Sequence, residues 1–246
     1  MIVNSVKNRL QNGFIKKLYY KIFNFYNSIE TIYPKELKFD NNNKILILAP
    51  HADDEVIGCG GLLLKYSKQC DVICLTDGRY GDRDIDIHNM IKIRKNEFIS
   101  VMTKLNIKNF NFLEIEDTKL KYNYEVLNQI SFNNYDYICI PNNLDQHPDH
   151  KVVFNHIQQA YKDKLIKKNI KIIMYEIWGT LPIVNYYIDI SHIVQQKKEI
   201  INLYHSQIKY IDYATKILAL NEYRGMIANK KYVEGYFIIN IRDLIK

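Results

Sequence analysis

A chain of 246 residues, 47% hydrophobic and 25% charged, can bury a full core and has the balance of an ordinary globular domain, which excludes disordered, collagen-like and fibrous classes. The formal net charge of +7 favours anionic surroundings, but Lys is spread along the whole chain and no stripe of Arg alternates with aromatics, so nucleic acid is not an expected partner. Of the four cysteines, Cys59, Cys70, Cys74 and Cys139, none forms a C-x-x-C pair and three lie in apolar or Gly-rich segments, where Cys acts as a small hydrophobe in a reducing cytoplasm.

Residues 5–27 place Leu10, Phe14, Leu18 and Ile22 four apart, with Lys7, Arg9, Lys16, Lys17 and Lys21 between them. This is the pattern of a basic amphipathic helix, weakened by Gly13. The better reading packs its apolar face on the domain; the alternative lays it on an anionic membrane surface. Lys and Arg interrupt every apolar run before residue 22, so no signal-peptide pattern is present, and no segment reaches 18 uncharged apolar residues. Residues 28–43, with Pro34 and a run of Asn, read as a connector. Residues 1–43 are therefore taken as a helix and connector, and 44–246 as the main domain.

From residue 44 the pattern changes. Lys44–Ala49 predicts a strand and 56–68 a helix. Asp71–Thr76 predicts a strand, and 88–106 a helix. Asn109–Ile115 and Asp136–Pro141 read as strands, 149–168 as a helix and Lys171–Trp178 as a strand. Tyr186–Ile190, a helix over 192–204 and a strand near Tyr236–Asn240 complete the chain. The alternation predicts an α/β fold, a Rossmann-like three-layer sandwich with a mostly parallel sheet and helices on both faces.

The first strand runs into Pro50-His51-Ala52-Asp53-Asp54-Glu55, in the position where open α/β sheets hold ligands. Gly58 and Gly60-Gly61 follow, yet a dinucleotide site is rejected. Carboxylates in the turn would repel a pyrophosphate, and the glycines fall inside the helix, where close helix–sheet packing accounts for them. A cation explains the loop better: an imidazole and a carboxylate suit zinc in an open site of three protein ligands. The bland alternative, acids capping a helix, accounts for one Asp but not for the whole group.

The strand 136–141 is likewise followed by a loop, Asn142–His150, ending in His147-Pro148-Asp149-His150. If both strands are central and parallel, the two loops meet, and one His from the second can complete a His-Asp-His metal site. His88, His156, His192 and His205 are read as surface or core histidines.

With both segments in view, the chain resembles the PIG-L-type (LmbE-like) N-acetylglucosaminyl deacetylases. Ala49–Glu55 with Gly58, Gly60 and Gly61 looks like their first signature and His147–His150 like their second, about 95 residues on. The resemblance covers residues 44–240. It implies that His51, Asp54 and His150 bind Zn2+, with Fe2+ or another divalent ion an alternative in cells. It implies Asp53 as general base, His147 as oxyanion donor or acid, and Asp149 as the group orienting an imidazole. Ala52 stands where the pattern often has Pro, which removes no functional group. Arg94-x-x-Glu97, Tyr204–Gln207 and Glu234 also look family-like and are given structural roles.

The expected reaction is release of acetate from an N-acetylated amino sugar of the N-acetylglucosamine type, free or glycan-linked. In the loop Thr76–Arg83, Asp77 and Arg79 are candidates for sugar hydroxyls, and Arg79 or Arg83 for an anionic aglycone; an ordinary solvated loop is an equal alternative. Rival readings are a zinc amidase acting on another acyl group or a non-sugar amide, a sugar-binding protein without catalysis, and a membrane-associated enzyme using a lipid-linked sugar. The expected location is cytoplasmic, at the inner face of the membrane if residues 5–27 bind lipid. Oligomeric state is not readable.

Overall fold

A strand covered by helices on both faces needs no polar alternation, and Ile45–Ala49 has none. In the computed structural model, which describes residues 33–244, this run is the central strand β2, with all five residues buried. The elements in chain order are β1 (Lys35–Glu36), β2 (Ile45–Ala49), α1 (Asp54–Tyr66), β3 (Cys70–Thr76), α2 (Ile87–Lys104), β4 (Phe110–Ile115), β5 (Tyr137–Pro141), α3 (Pro148–Lys162), β6 (Lys171–Tyr175), β7 (Tyr186–Asp189), α4 (Val194–Ile201), α5 (His205–Ile208), α6 (Tyr213–Ala228) and β8 (Val233–Asn240). Short 3-10 turns fill much of 120–134.

Among the described residues the strands form one sheet in the order β1-β7-β8-β6-β5-β2-β3-β4. The run β6-β5-β2-β3-β4 is parallel, and β8 is antiparallel to both β6 and β7. Alternate residues of β2 feed two separate cores. Ile45 and Ile47 pack with Val56 and Leu62 of α1, Phe98 and Val101 of α2, and Ile200 of α4. Leu46 and Leu48 pack with Val153 and Ile157 of α3 on the opposite face. The predicted three-layer α/β sandwich is therefore present.

The glycines of α1 let it lie against the sheet. A Cβ at Gly58 would stand 2.2 Å from the Tyr175 ring on β6, and one at Gly61 2.3 Å from Ile190. The helix predicted to reach 168 ends at Lys162: Lys164 takes a left-handed φ of 64°, and the Leu165 N–H returns to the Ala160 carbonyl. Residues from Pro34 onward form one compact unit. Within the stretch read as connector, β1 pairs with β7, and Leu37 and Phe39 are buried. The helix predicted over 5–27 lies outside the described residues. Among those described, no helix is long and apolar enough to cross a membrane.

Candidate metal centre and its cleft

β2 and β5 are parallel neighbours, while β2 continues through α1 to β3 on its other side. This reversal of strand order opens a crevice at the carboxyl ends, and both sequence motifs fall there. After β2, the Pro50 carbonyl accepts the Thr76 N–H at 3.0 Å and the Thr76 hydroxyl at 2.7 Å. Asp53 then takes a φ of 136°, strain of about 1–3 kcal/mol for a non-glycine residue. It is held there by its N–H, which donates to Glu55 Oε2 at 3.1 Å, and by Arg94, which donates to the Ala52 carbonyl and lies 3.3 Å from Asp53 Oδ1. After β5, Asn142 and Asp145 shape the loop: Asn142 Nδ2 donates to the Gly179 carbonyl at 2.6 Å, and Asp145 Oδ1 accepts the His147 N–H at 2.9 Å. Pro148 then opens α3, with its φ already suited to a first helical position.

The two loops converge on Asp54. Its Oδ2 lies 3.2 Å from His51 Nδ1 and 3.1 Å from His150 Nε2. Ligand atoms about 2.0–2.1 Å from a tetrahedral zinc stand roughly 3.3 Å apart, so both distances from Asp54 suit such an ion. His150 supplies a second argument. It is fully buried, and neither ring nitrogen has a well-aligned hydrogen bond, although Nδ1 lies 3.1 Å from Asp145 Oδ1. An imidazole between a carboxylate on one nitrogen and a shared acidic oxygen on the other is the arrangement of a metal-ligating histidine with its supporting carboxylate. His51, His147 and His150 offer nitrogens within 4.8 Å of one another, and His51 also groups with Asp117 and Asp149. His51 Nε2 lies 3.2 Å from Asp117 and 3.4 Å from Asp149, so carboxylates back this ring as well.

The electrostatics follow from burial among opposite charges. Burial opposes a charge on His51, but Asp117, Asp149 and Asp54 outweigh it and hold the imidazole well above its ordinary pKa. His150 is likewise pushed down by burial and up by Asp54 and Asp145, to about 9. Burial also works against an ionised Asp54, yet His150 and His51 keep it well below the usual carboxylate range. Burial raises Asp53 to about 6, with Arg94 pulling the other way. His147 is lowered by burial and then by the neighbouring His51 and His150.

A cavity of about 210 Å³ opens over this cluster. His51, Asp53, Asp54 and His147 line it, with Arg94, Asp117, Trp178, Gln207 and Tyr213. Asp149 stands behind, its Oδ2 accepting the Thr118 N–H. Asp77 and Arg79 do not line it. Asp77 is buried and accepts Arg79 Nε at 2.9 Å, Arg79 Nη2 at 2.7 Å and the Asp117 N–H at 3.2 Å. Asp117, Asp145, Trp178 and Tyr213 carry no signal that the sequence reading used, though Asp145 stands in the loop that ends in His147. Arg94 and Gln207, read as structural, reach the cavity. Arg94 Nε and Nη1 are buried without a hydrogen-bond partner, Nη1 lying 3.8 Å from Glu97 Oε2.

Fold and site together define a three-layer α/β protein with a metal-type His–Asp centre at the switch point of its sheet. Residues 46–161, just under half of the chain, match the family model described as GlcNAc-PI de-N-acetylase, the PIG-L family. The matched stretch runs from β2 into the last turn of α3 and contains both loops. The diacetylchitobiose deacetylase of Thermococcus kodakarensis is 34% identical over 97 residues, which span 37% of this chain and 36% of that protein. Among solved structures, the N,N'-diacetylchitobiose deacetylase of Pyrococcus horikoshii superposes with a TM-score of 0.70 at 23% identity, covering 84% of this chain and 88% of its own. The 4-carboxy-2-hydroxymuconate hydratase GalB of Pseudomonas putida superposes at 0.61 with 17% identity, covering 80% and 96%. The structural likenesses establish the fold, which serves a hydratase as well as a deacetylase, so residue roles must be argued from the site.

Proposed function

We propose that this protein is a zinc-dependent deacetylase that hydrolyses the acetamide of an N-acetylated amino sugar in a conjugate of the N-acetylglucosamine type. One observation carries the reading: Asp53 stands at the wall of the same cavity as His51 and Asp54, strained into place beside Arg94, with the buried His150 3.1 Å from Asp54. The deacetylase relatives and the family match support the substrate class. Zinc suits the two imidazoles and one carboxylate, although other divalent ions accept the same donors.

His51, Asp54 and His150 would hold the zinc ion, which would supply Lewis-acid chemistry, lowering the pKa of water to about 7. Asp53 takes the proton of the attacking water and returns it to the sugar nitrogen as the C–N bond breaks. His147 Nδ1 accepts the Asp149 N–H at 3.3 Å, so a neutral ring carries its proton on Nε2. That N–H donates to the acetyl oxygen as negative charge develops, an interaction of about 3 kcal/mol. Asp149 and Asp117 hold the His51 ring. The Asp117 carboxylate supplies an acceptor for sugar hydroxyls, Arg94 steadies Asp53, and Asp77 and Arg79 brace the loop beneath. Four buried free thiols support a cytoplasmic setting.

The test is acetate release from a panel of N-acetylglucosamine conjugates by zinc-loaded protein. Release is expected, and Asp53→Asn should reduce it by about 10²–10⁴. No release from any conjugate by protein shown to contain zinc would overturn the reading.

A further inference from the structure

Asp53 stands at the N-cap of α1, where an Asp side chain ordinarily accepts a backbone N–H of the first helical turn. Here it makes no such bond. Its φ of 136° lies far from the extended backbone of a capping residue, and the carboxylate lines the cavity beside Arg94 instead. A non-glycine residue keeps such a backbone only where its surroundings impose it.

The peptide between Ala52 and Asp53 is gripped at both of its polar ends. Arg94 donates to the Ala52 carbonyl, and the Asp53 N–H donates to Glu55 Oε2 at 3.1 Å. Because φ of Asp53 is a rotation against this peptide plane, fixing the plane fixes where the side chain points. Glu55 is unusual for a glutamate in a first helical turn, since it is fully buried rather than facing water. Such a group is costly to bury unless its oxygens find donors. Its second oxygen, Oε1, accepts the hydroxyl of Tyr204, 149 residues away in sequence. Tyr204 is buried and fixed in turn. Its N–H donates to the Ile201 carbonyl at 3.1 Å, and the Arg94 guanidinium lies 5.5 Å over its ring. Glu97, three residues along α2 from Arg94, accepts the Ser206 N–H and hydroxyl, both at 2.7 Å, and so anchors the segment that carries Tyr204. Neither Glu55 nor Tyr204 lines the cavity.

We propose that Glu55 and Tyr204 are positioning residues. Together with Arg94 they hold the Ala52–Asp53 peptide in one orientation, keep Asp53 from capping its helix and so present its carboxylate to the cavity. The proposal rests on Asp53 as the base of the deacetylase reading.

Glu55→Ala should lower kcat for acetate release about 10–100-fold, with KM and bound zinc unchanged. Glu55→Gln should recover most of that loss, because its amide keeps an acceptor for the Asp53 N–H and donates to the Tyr204 oxygen. Tyr204→Phe removes a single oxygen and serves if Glu55→Ala does not fold; it should lower kcat in the same way. In an Asp53→Asn background neither Glu55→Ala nor Tyr204→Phe should lower the residual rate further, whereas a loss through general destabilisation would persist there. A second readout needs no turnover: crystal structures of the two variants should show Asp53 at a negative φ, with His51, Asp54 and His150 undisturbed. Unchanged kcat in both variants, equal losses in the Asp53→Asn background, or a φ near 136° retained in both overturns the proposal. If unsubstituted zinc-loaded protein releases no acetate while φ relaxes in the variants, the positioning role stands and the deacetylase reading fails.

Discussion

His150 lies between two carboxylates, Asp54 and Asp145, each 3.1 Å from one ring nitrogen. Asp145 also accepts the backbone N–H groups of His147 and Trp178, so a single buried acid orients both histidines of its loop. Asp145→Asn keeps the size but removes the charge. Loss of such a supporting group typically weakens metal binding about 10–100-fold, which competition with a chromophoric zinc chelator would measure; unchanged affinity would remove Asp145 from this role. Arg94 acts on the other side of the centre. Arg94→Met leaves the buried Asp53 without its counter-charge, and kcat/KM should fall about a hundredfold with zinc content unchanged. His51, Asp54, His147 and His150 were legible because each lies in a compact post-strand motif. Asp117 was not, and Arg94 was read only as structural, because they stand 66 and 42 residues from His51 and Ala52, which they contact. No local pattern encodes such a meeting.

α1 carries Asp54 and Glu55 on its first turn and is kinked at Cys59 (φ −130°, ψ 19°). A kink frees backbone groups that an unbroken helix would pair. Here two buried side chains take them up. Glu234 of β8 accepts the N–H groups of Gly61 at 2.5 Å and Leu62 at 2.9 Å, while Lys197 of α4 donates to the Ile57 carbonyl at 3.1 Å. The two are also paired, Nζ to Oε1, at 2.7 Å. Removing one member strands the other charge in the core, so Glu234→Ala should cost about 3–5 kcal/mol in urea unfolding. Adding Lys197→Met should recover part of that loss, since the orphaned ammonium goes with it. Glu234 was visible in the sequence as family-like, but its work depends on β8 lying beside a broken helix. α6 was not foreseen for a related reason. Its buried positions, Ala214, Ile217, Asn221 and Gly225, have helical spacing, but half of them are not apolar.

Across the whole molecule, charge is kept out of the core wherever a partner is lacking. Burial raises the thiols of Cys70, Cys74 and Cys139 well above their ordinary 9.0, and the phenols of Tyr175, Tyr204 and Tyr236 well above 10.0. These groups fold neutral. Their stabilising effect is complete below about pH 9, where the unfolded chain also keeps them protonated, and is lost as pH rises through the folded values. Tm should therefore fall from pH 8 to pH 10, and native protein should resist a thiol reagent that labels four cysteines after unfolding. Metal removal should act on stability as well as on activity. A chelator should lower Tm, and zinc should restore it, less effectively at low pH where the histidine ligands are protonated.

Hydrophobic runs and helical periodicity in the sequence determined the alternation of strands and helices between residues 44 and 204, because those patterns are local and each element must bury its own face. Two compact motifs after strands likewise named the candidate metal ligands and the candidate base. Tertiary structure alone decided that β5 lies beside β2, which brings the two loops to one point. It also decided that Asp117, Asp145 and Arg94 stand around the candidate centre, and that Glu234 and Lys197 take up the backbone groups freed in α1. Each of these depends on contacts between residues distant in sequence, which exist only once the sheet order and the packing of helices on it are fixed.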